Sequence, residues 1–274
     1  MADGWPQSLV LVGAGKMGEA LLRGWLGAGF SPAKVTVLDP NPSSSIAALA
    51  ADRGVALNPA PEELRAPEAL MLAIKPQTLD AAAPEIAALV APETLVVSIL
   101  AGKRIDDLRA RFPEARALVR VMPNTPAAVG RGASAGAASA LVSAQQQRWT
   151  ENLMRSVGLF DWLPDETLID SVTAVSGSGP AYVFALVEAL ATAGETLGLA
   201  PALAMRLARA TIEGAGELLY RQPAVSAAKL RENVTSPGGT TAAALAVLQA
   251  ADGLPALLAK AAEAARDRAR ELAG

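Results

Sequence analysis

The chain has 274 residues, a formal net charge of −3, and 51% hydrophobic against 19% charged residues. That length suits one large or two ordinary domains, and that balance gives a packed globular protein with no basic face for nucleic acid. Cysteine and histidine are both absent, which excludes disulfides, thiol nucleophiles, metals held by thiolate or imidazole, and every catalytic scheme that needs an imidazole. No metal site is expected.

Met1–Ser8 carries no basic n-region and the apolar run after it is short, so no signal peptide is expected. The N-terminal half then alternates short apolar runs with helical stretches. Leu9–Val12, Val35–Leu38, Ala69–Ile74, Leu95–Ile99 and Ala117–Val121 read as buried parallel strands, because each is apolar at all but at most one position. Helices are expected over Met17–Leu26, Ser43–Arg53, Thr78–Val90 and Ile105–Arg111. Ala135–Val142 and Leu159–Leu163 read as further strands around a helix over Ala144–Ser156.

After Pro164 strand signals vanish. Ala- and Leu-rich helices are expected over about 166–175, 180–198, 201–221, 240–250 and 254–273, with Pro180 and Pro201 in first turns. Ala181–Gly194 is apolar almost all round, with Glu188 as its one charge. It is too short to span a bilayer, so no membrane is expected. A helix of that kind must be buried on every side, and in a small helical domain a second subunit is the natural cover.

Four strand ends carry chemistry. Gly13-Ala14-Gly15-Lys16-Met17-Gly18 is G-x-G-x-x-G between the first strand and first helix. Its glycines suit a tight turn, close approach of backbone to a pyrophosphate, and close helix–strand packing. Asp39 ends the second strand where a carboxylate pairs with the ribose 2′-hydroxyl of NAD and repels the 2′-phosphate of NADP. No Arg lies between Arg23 and Arg53, although Ser43, Ser44 and Ser45 can bond a phosphate. The cofactor is therefore NADPH or NADH, with the local residues leaning to NADH. Ala73-Ile74-Lys75-Pro76 and Arg120-Val121-Met122-Pro123-Asn124-Thr125-Pro126 follow two more strands, at the edge where open α/β sheets bind ligands. The architecture expected is an α/β N-terminal Rossmann-type domain with a mostly parallel sheet over 1–163. An all-α C-terminal domain for substrate binding and dimerisation follows over 164–274. The protein is expected to be cytoplasmic.

Within the helical half, Leu230–Leu245 gathers Asn233, Thr235, Ser236, Thr240 and Thr241 around Pro237-Gly238-Gly239, and a helical run starts at once. Such a Gly-Gly entry exposes unpaired N–H groups where the helix dipole is positive, a seat for a small carboxylate or phosphate. By residue type alone, Thr241 is equally a first-turn cap.

Five segments, in order, resemble the pyrroline-5-carboxylate reductase family: the glycine fingerprint, A-I-K-P, R-V-M-P-N-T-P, V-S-G-S-G-P-A-Y over 175–182, and T-S-P-G-G-T-T. The resemblance implies NAD(P)H-dependent reduction of the cyclic imine 1-pyrroline-5-carboxylate to L-proline, the last step of proline biosynthesis, by a homodimer or higher oligomer. It implies coenzyme contacts from Gly13, Ala14, Gly15, Lys16, Met17, Gly18, Asp39, Ala73, Ile74, Lys75, Pro76 and Asn124. It implies substrate contacts from Val234, Ser236, Gly239, Thr240 and Thr241, with the Thr241 hydroxyl as the catalytic donor to the ring nitrogen. One departure stands at Ala60-Pro61-Glu62, where many relatives carry an Asn toward the adenosine half.

The residues argue independently for an imine. Reducing a ketone needs a proton donor for the developing alkoxide, usually His or Lys. This chain has no His and no Lys between Lys103 and Lys229, so the helix that carries the catalytic Lys in β-hydroxyacid dehydrogenases has none here. A protonated imine accepts hydride and leaves a neutral amine, which asks chiefly for orientation. The competing readings are another NAD(P)H-dependent imine or β-hydroxyacid oxidoreductase, and a dinucleotide sensor without catalysis.

Overall fold

The computed structural model describes residues 4–273; Met1–Asp3, within the stretch read as lacking a signal peptide, lie outside the described residues. Eight strands form one sheet: β1 Leu9–Val12, β2 Val35–Leu38, β3 Ala56–Leu57, β4 Ala69–Leu72, β5 Leu95–Ser98, β6 Ala117–Met122, β7 Gly132–Ala138 and β8 Gly158–Trp162. Their spatial order is β3-β2-β1-β4-β5-β6-β7-β8, with every neighbouring pair parallel except β6–β7. Strand order reverses between β1 and β4: Leu9 of β1 pairs with Val35 of β2 on one side and with Ala69 of β4 on the other. That reversal is the crevice at which dinucleotide-binding sheets hold their ligands.

Helices α1 Lys16–Gly27, α2 Ser44–Arg53, α3 Leu79–Ala87, α4 Ile105–Arg111 and α5 Ala144–Arg155 connect the strands. The period of two along each strand divides the core into two layers. Leu9, Leu11, Val37, Met71 and Val97 pack with Leu21, Leu22 and Trp25 of α1, Ile46 of α2 and Leu153 of α5. Val10, Val12, Leu70, Leu72 and Val96 pack on the other face with Leu79 and Ile86 of α3 and Leu108 of α4. The Trp25 indole N–H donates to the Leu153 carbonyl at 2.9 Å, so even the largest core ring keeps its polar atom satisfied.

By contacts the chain divides into two units, 1–177 with 265–274, and 178–264. The division lies beyond the change of character at Pro164 because α6 Ile169–Val172 and the π turn Thr173–Gly177 that continues it pack on β7 of the first unit. The second unit holds α7 Gly179–Thr196, α8 Pro201–Arg221, α9 Ala227–Asn233, α10 Thr240–Leu248 and most of α11 Leu254–Ala273. Helices α7 and α8 form a hairpin closed by Gly198 at φ +95°, with the Leu199 N–H donating to the Gly194 carbonyl at 3.1 Å. A Cβ on Gly194 would come within 3.2 Å of the Ala204 side chain, so glycine there lets the two helices close.

The apolar helix expected to find its cover on a second subunit is covered on one side only within its own chain. Ala191 is buried, whereas Phe184 is 64% exposed and Val183, Leu186 and Leu190 stand open with it. The run Glu166–Thr196 is also long and apolar enough to cross a bilayer, a length the interval Ala181–Gly194 concealed.

Candidate active site: a dinucleotide cradle and a threonine-rich loop

The three fingerprint glycines each meet a distinct physical demand. Gly13 has φ +90°, and a Cβ there would come within 2.8 Å of the Ala73 backbone, so β1 and β4 can approach only with glycine. A Cβ on Gly18 would collide with the Gly13 carbonyl, which fixes how closely α1 sits on the turn. Gly15 has open space around its Cα, and as the N-cap of α1 it supplies no side-chain acceptor. The first turn of α1 is therefore free to receive an anion at its N–H groups. This arrangement fits a pyrophosphate.

Asp39 stands at the end of β2 with both carboxylate oxygens engaged. The Ala14 N–H donates to Oδ2 at 2.7 Å and the Asn41 N–H to Oδ1 at 2.8 Å. Its backbone is clamped by Asn58, whose Oδ1 accepts from the Asp39 N–H at 2.9 Å and whose Nδ2 donates to the Asp39 carbonyl at 2.7 Å. Asn58 sits at φ +47°, a left-handed conformation that asparagine tolerates better than most residues. Sequence reasoning missed Asn58 entirely. Its signal was the N-P pair next to the departure at Ala60-Pro61-Glu62, a turn whose partner lies too far along the chain to infer.

Three of the groups near a 2′-phosphate already have protein partners. Ser43 caps α2 through the Ile46 N–H at 3.2 Å. Ser45 donates to Glu19 at 2.6 Å and accepts from Arg23 at 2.9 Å. Arg23 thus does reach the start of α2, although no Arg follows it in sequence until Arg53, and Glu19 pairs with it at 2.8 Å. The Ser45 hydroxyl first, and then Arg23, hold the Glu19 carboxyl below its usual range against the opposing effect of desolvation. Ser44 remains.

Ala73 and Ile74 follow β4, and Lys75 is exposed ahead of a short 3-10 turn, Pro76–Thr78, its carbonyl accepting from the Thr78 hydroxyl at 2.8 Å. Arg120 of β6 is buried and meets Glu166 at 3.2 Å and Asp170 at 4.0 Å, while Glu166 also accepts the Ile105 N–H at 2.8 Å. The pairing ties β6 to the starts of α4 and α6. Asn124, just beyond β6, is buried: its Oδ1 accepts from the Ala133 N–H at 2.8 Å and its Nδ2 donates to the Ser176 carbonyl at 3.0 Å. The fingerprint, Asp39, Ala73–Pro76 and Asn124 therefore share the carboxyl edge of the sheet.

In the second unit, α9 ends at Asn233 and Thr235 closes it through its hydroxyl to the Arg231 carbonyl at 2.7 Å. Ser236-Pro237-Gly238-Gly239 is a β-turn with the Gly239 N–H donating to the Ser236 carbonyl at 3.0 Å and Gly238 at φ +67°. Pro then Gly at its centre is the type II requirement. The turn delivers the chain to α10, whose N-cap is Gly239 with no side-chain cap. Thr241 is not the cap residue, and the N–H groups of Thr240 and Thr241 open the first turn. Val234 and Ser236 are exposed beside them.

Comparisons with known proteins agree with both halves. Residues 166–272 match the family model described as pyrroline-5-carboxylate reductase dimerisation, and residues 8–102 match that described as NADP oxidoreductase coenzyme F420-dependent. The chain is 40% identical to a pyrroline-5-carboxylate reductase of Pseudomonas aeruginosa, over 97% of this chain and 96% of that one. The chain belongs to the pyrroline-5-carboxylate reductase family. A second reductase, from Synechocystis, is 38% identical over 96% of this chain and 97% of its own. Among solved structures, the Coxiella burnetii reductase matches with a TM-score of 0.89 and 32% identity, covering 98% of this chain and 99% of that one. The Plasmodium falciparum enzyme, solved with NADP bound, matches with a TM-score of 0.78 and 27% identity, covering 97% and 98%. The activity is NAD(P)H-dependent reduction of 1-pyrroline-5-carboxylate to proline.

Proposed function

We propose that the reductase holds its coenzyme along the carboxyl edge of the sheet and its substrate at the entry to α10. Gly13–Gly18 receive the pyrophosphate on the first turn of α1, Asp39 receives the adenosine ribose, and Ala73–Pro76 line the path between. The N–H groups of Thr240 and Thr241 bind the substrate carboxylate, Gly239, whose own N–H closes the turn onto Ser236, lies against it without a side chain, Val234 and Ser236 flank the ring, and the Thr241 hydroxyl donates to the ring nitrogen. Hydride then passes from the nicotinamide, whose chemistry the coenzyme supplies, to the imine carbon. The ring nitrogen, protonated before or during transfer, is left as the neutral amine. The uncapped first turn of α10 after a type II turn carries this reading, because the N–H groups of Thr240 and Thr241 have no acceptor among the described residues. Oxidation of NADH or NADPH with 1-pyrroline-5-carboxylate, against keto-acid controls, tests it: turnover with the imine alone is expected.

The preferred coenzyme is NADH. Asp39 is pinned by the Ala14 and Asn41 N–H groups and cannot swing aside, while Ser43, Ser45 and Arg23 have protein partners. A 2′-phosphate would meet a fixed carboxylate. The apolar side of α7 is covered by a second copy of the chain rather than by lipid, making a homodimer through the helical domain. The exposed Glu188 on that helix suits a protein interface better than a bilayer. We place the enzyme in solution in the cytoplasm.

A further inference from the structure

Two of the sequence motifs meet through a hydrogen bond that proline makes necessary. Ser176 lies in the π turn Thr173–Gly177, and Pro180 stands four residues on. In a helix the Ser176 carbonyl would accept from the N–H at 180, and proline has none. The Ala181 N–H is already given to the Ser178 carbonyl at 3.0 Å. Elsewhere in the widened turn, hydroxyls cover the carbonyls four residues back: Thr173 donates to Ile169 at 2.8 Å and Ser176 to Val172 at 3.1 Å. The Ser176 carbonyl has no such local donor. It accepts instead from Nδ2 of Asn124, at 3.0 Å and 52 residues earlier. The other end of that carboxamide accepts from Ala133 at the start of β7. Gly177 sits against the same motif, since a Cβ there would come within 2.7 Å of the Met122 methyl.

We infer that Asn124 is a positioning residue for hydride transfer, not a coenzyme ligand: it supplies the donor that Pro180 removes and so locks the π turn to the carboxyl end of β6. Both polar ends of its side chain serve backbone groups, and it is 8% exposed, which leaves it poorly placed to meet a ligand. Turns of the π type are rare and costly, and they persist where the surrounding structure holds them. Here the holding group sits at the edge where the coenzyme is proposed to lie, so the inference rests on that placement. Loosening the clip lets the turn and the loop after β6 drift relative to each other. A misplacement of about 1 Å at a reacting centre is worth roughly 100-fold in rate.

Asn124→Asp keeps the shape and the acceptor for Ala133 but loses the donor; Asn124→Ala loses both. Each should lower kcat by about 10- to 100-fold, while the dissociation constant for NADH, read by fluorescence titration, stays within about 2-fold of wild type. Adding Pro180→Ala to Asn124→Asp returns an N–H within reach of the Ser176 carbonyl and should recover most of the lost turnover. Amide exchange over 172–178 needs no turnover; it should quicken in the single variants and slow again in the double variant. A coenzyme dissociation constant rising in step with the loss would make Asn124 a ligand and overturn the inference. Wild-type turnover and exchange, a double variant no better than the single, or insoluble protein from both single variants would overturn it too. A wild-type chain inactive on the imine would instead sink the substrate reading, with the exchange data still deciding the clip.

Discussion

The two units bury their apolar side chains by different means. In the first, Leu9, Leu21, Trp25, Leu70, Phe112 and Phe160 are almost wholly buried on the two faces of one sheet. In the second, among the described residues, only Ala191, Ala204 and Ala208 are buried, while Phe184, Leu186, Leu190, Leu207 and Leu218 stay open. Three alanines make no core. In the proposed homodimer association completes that unit, and its stability is then expected to depend on protomer concentration while that of the sheet is not. The coenzyme is thus assigned to the self-sufficient unit and the substrate loop to the one that needs a partner.

The sharpest way to break this contrast is Phe184→Glu. Its ring is 64% exposed in the single chain, so the change costs the isolated fold little and places a charge in the proposed interface. Light scattering should report monomer or aggregate, with turnover lost. Val187 is a poorer probe, being half-buried within its own chain. An active, soluble monomer from wild type or variant would end the comparison. Its counterpart is Leu70→Ala in the sheet. Removing that side chain from between β4 and its covering helices should destabilise the first unit by about 2–5 kcal/mol. Urea unfolding should show the shift at every protein concentration, with the oligomeric state unchanged; a shift that vanishes at high concentration would mean the sheet also depends on association.

The same contrast explains what was legible in the chain. Strands β1 and β2 were readable to the residue because Leu9–Val12 is a continuous apolar run and Val35–Leu38 is apolar but for Thr36. Strand β7 begins earlier than its apolar pattern, since Gly132-Ala133-Ser134 has little strand propensity and is held there by β8. Strand β3 is two residues long and invisible by pattern. Helix α9 was missed although Ser226 caps it through the Lys229 N–H at 3.2 Å; seven residues give too little period to see. The glycine fingerprint and the S-P-G-G-T-T loop were legible because their chemistry is local. Asn58, the Arg120 pairs and the Asn124 clip were not, because each depends on a partner brought up by the fold. The cover expected for α7 is that of a second subunit, so the single chain leaves Phe184, Leu186 and Leu190 open.

Thr241 tests the chemistry of the second unit more finely. The N-cap of α10 is Gly239, so removing the Thr241 hydroxyl should not fray the helix. Thr241→Ala and Thr241→Val should then lower kcat by about 10- to 100-fold, the worth of one hydrogen bond to a group gaining or holding charge, at about 1.5–3 kcal/mol. KM should change little, since the substrate carboxylate is assigned to backbone N–H groups that both variants keep. Unaltered kcat in both would return Thr241 to a structural role.

The smallest expected effect belongs to the first unit, and there the geometry sharpens the variant to use. Asp39→Ser removes the negative charge facing the ribose, but it also takes away the carboxylate that accepts from Ala14 and Asn41. The loop that cradles the pyrophosphate loses a partner whichever coenzyme is bound, so kcat/KM should fall for both. What isolates the charge is the ratio. Two like charges near the surface repel by an amount cut down by water and salt, so the relative gain for NADPH should be about 10-fold, or about 1.4 kcal/mol. Asp39→Asn is the companion: it keeps an acceptor for one of the two N–H groups while losing the charge. It should shift the ratio as far as Asp39→Ser with a smaller loss in absolute rate. Raising the salt concentration should narrow the wild-type preference for NADH and leave the asparagine variant unmoved. A ratio that stays at its wild-type value in both variants would mean that Asp39 serves only the Ala14 turn and faces no ribose.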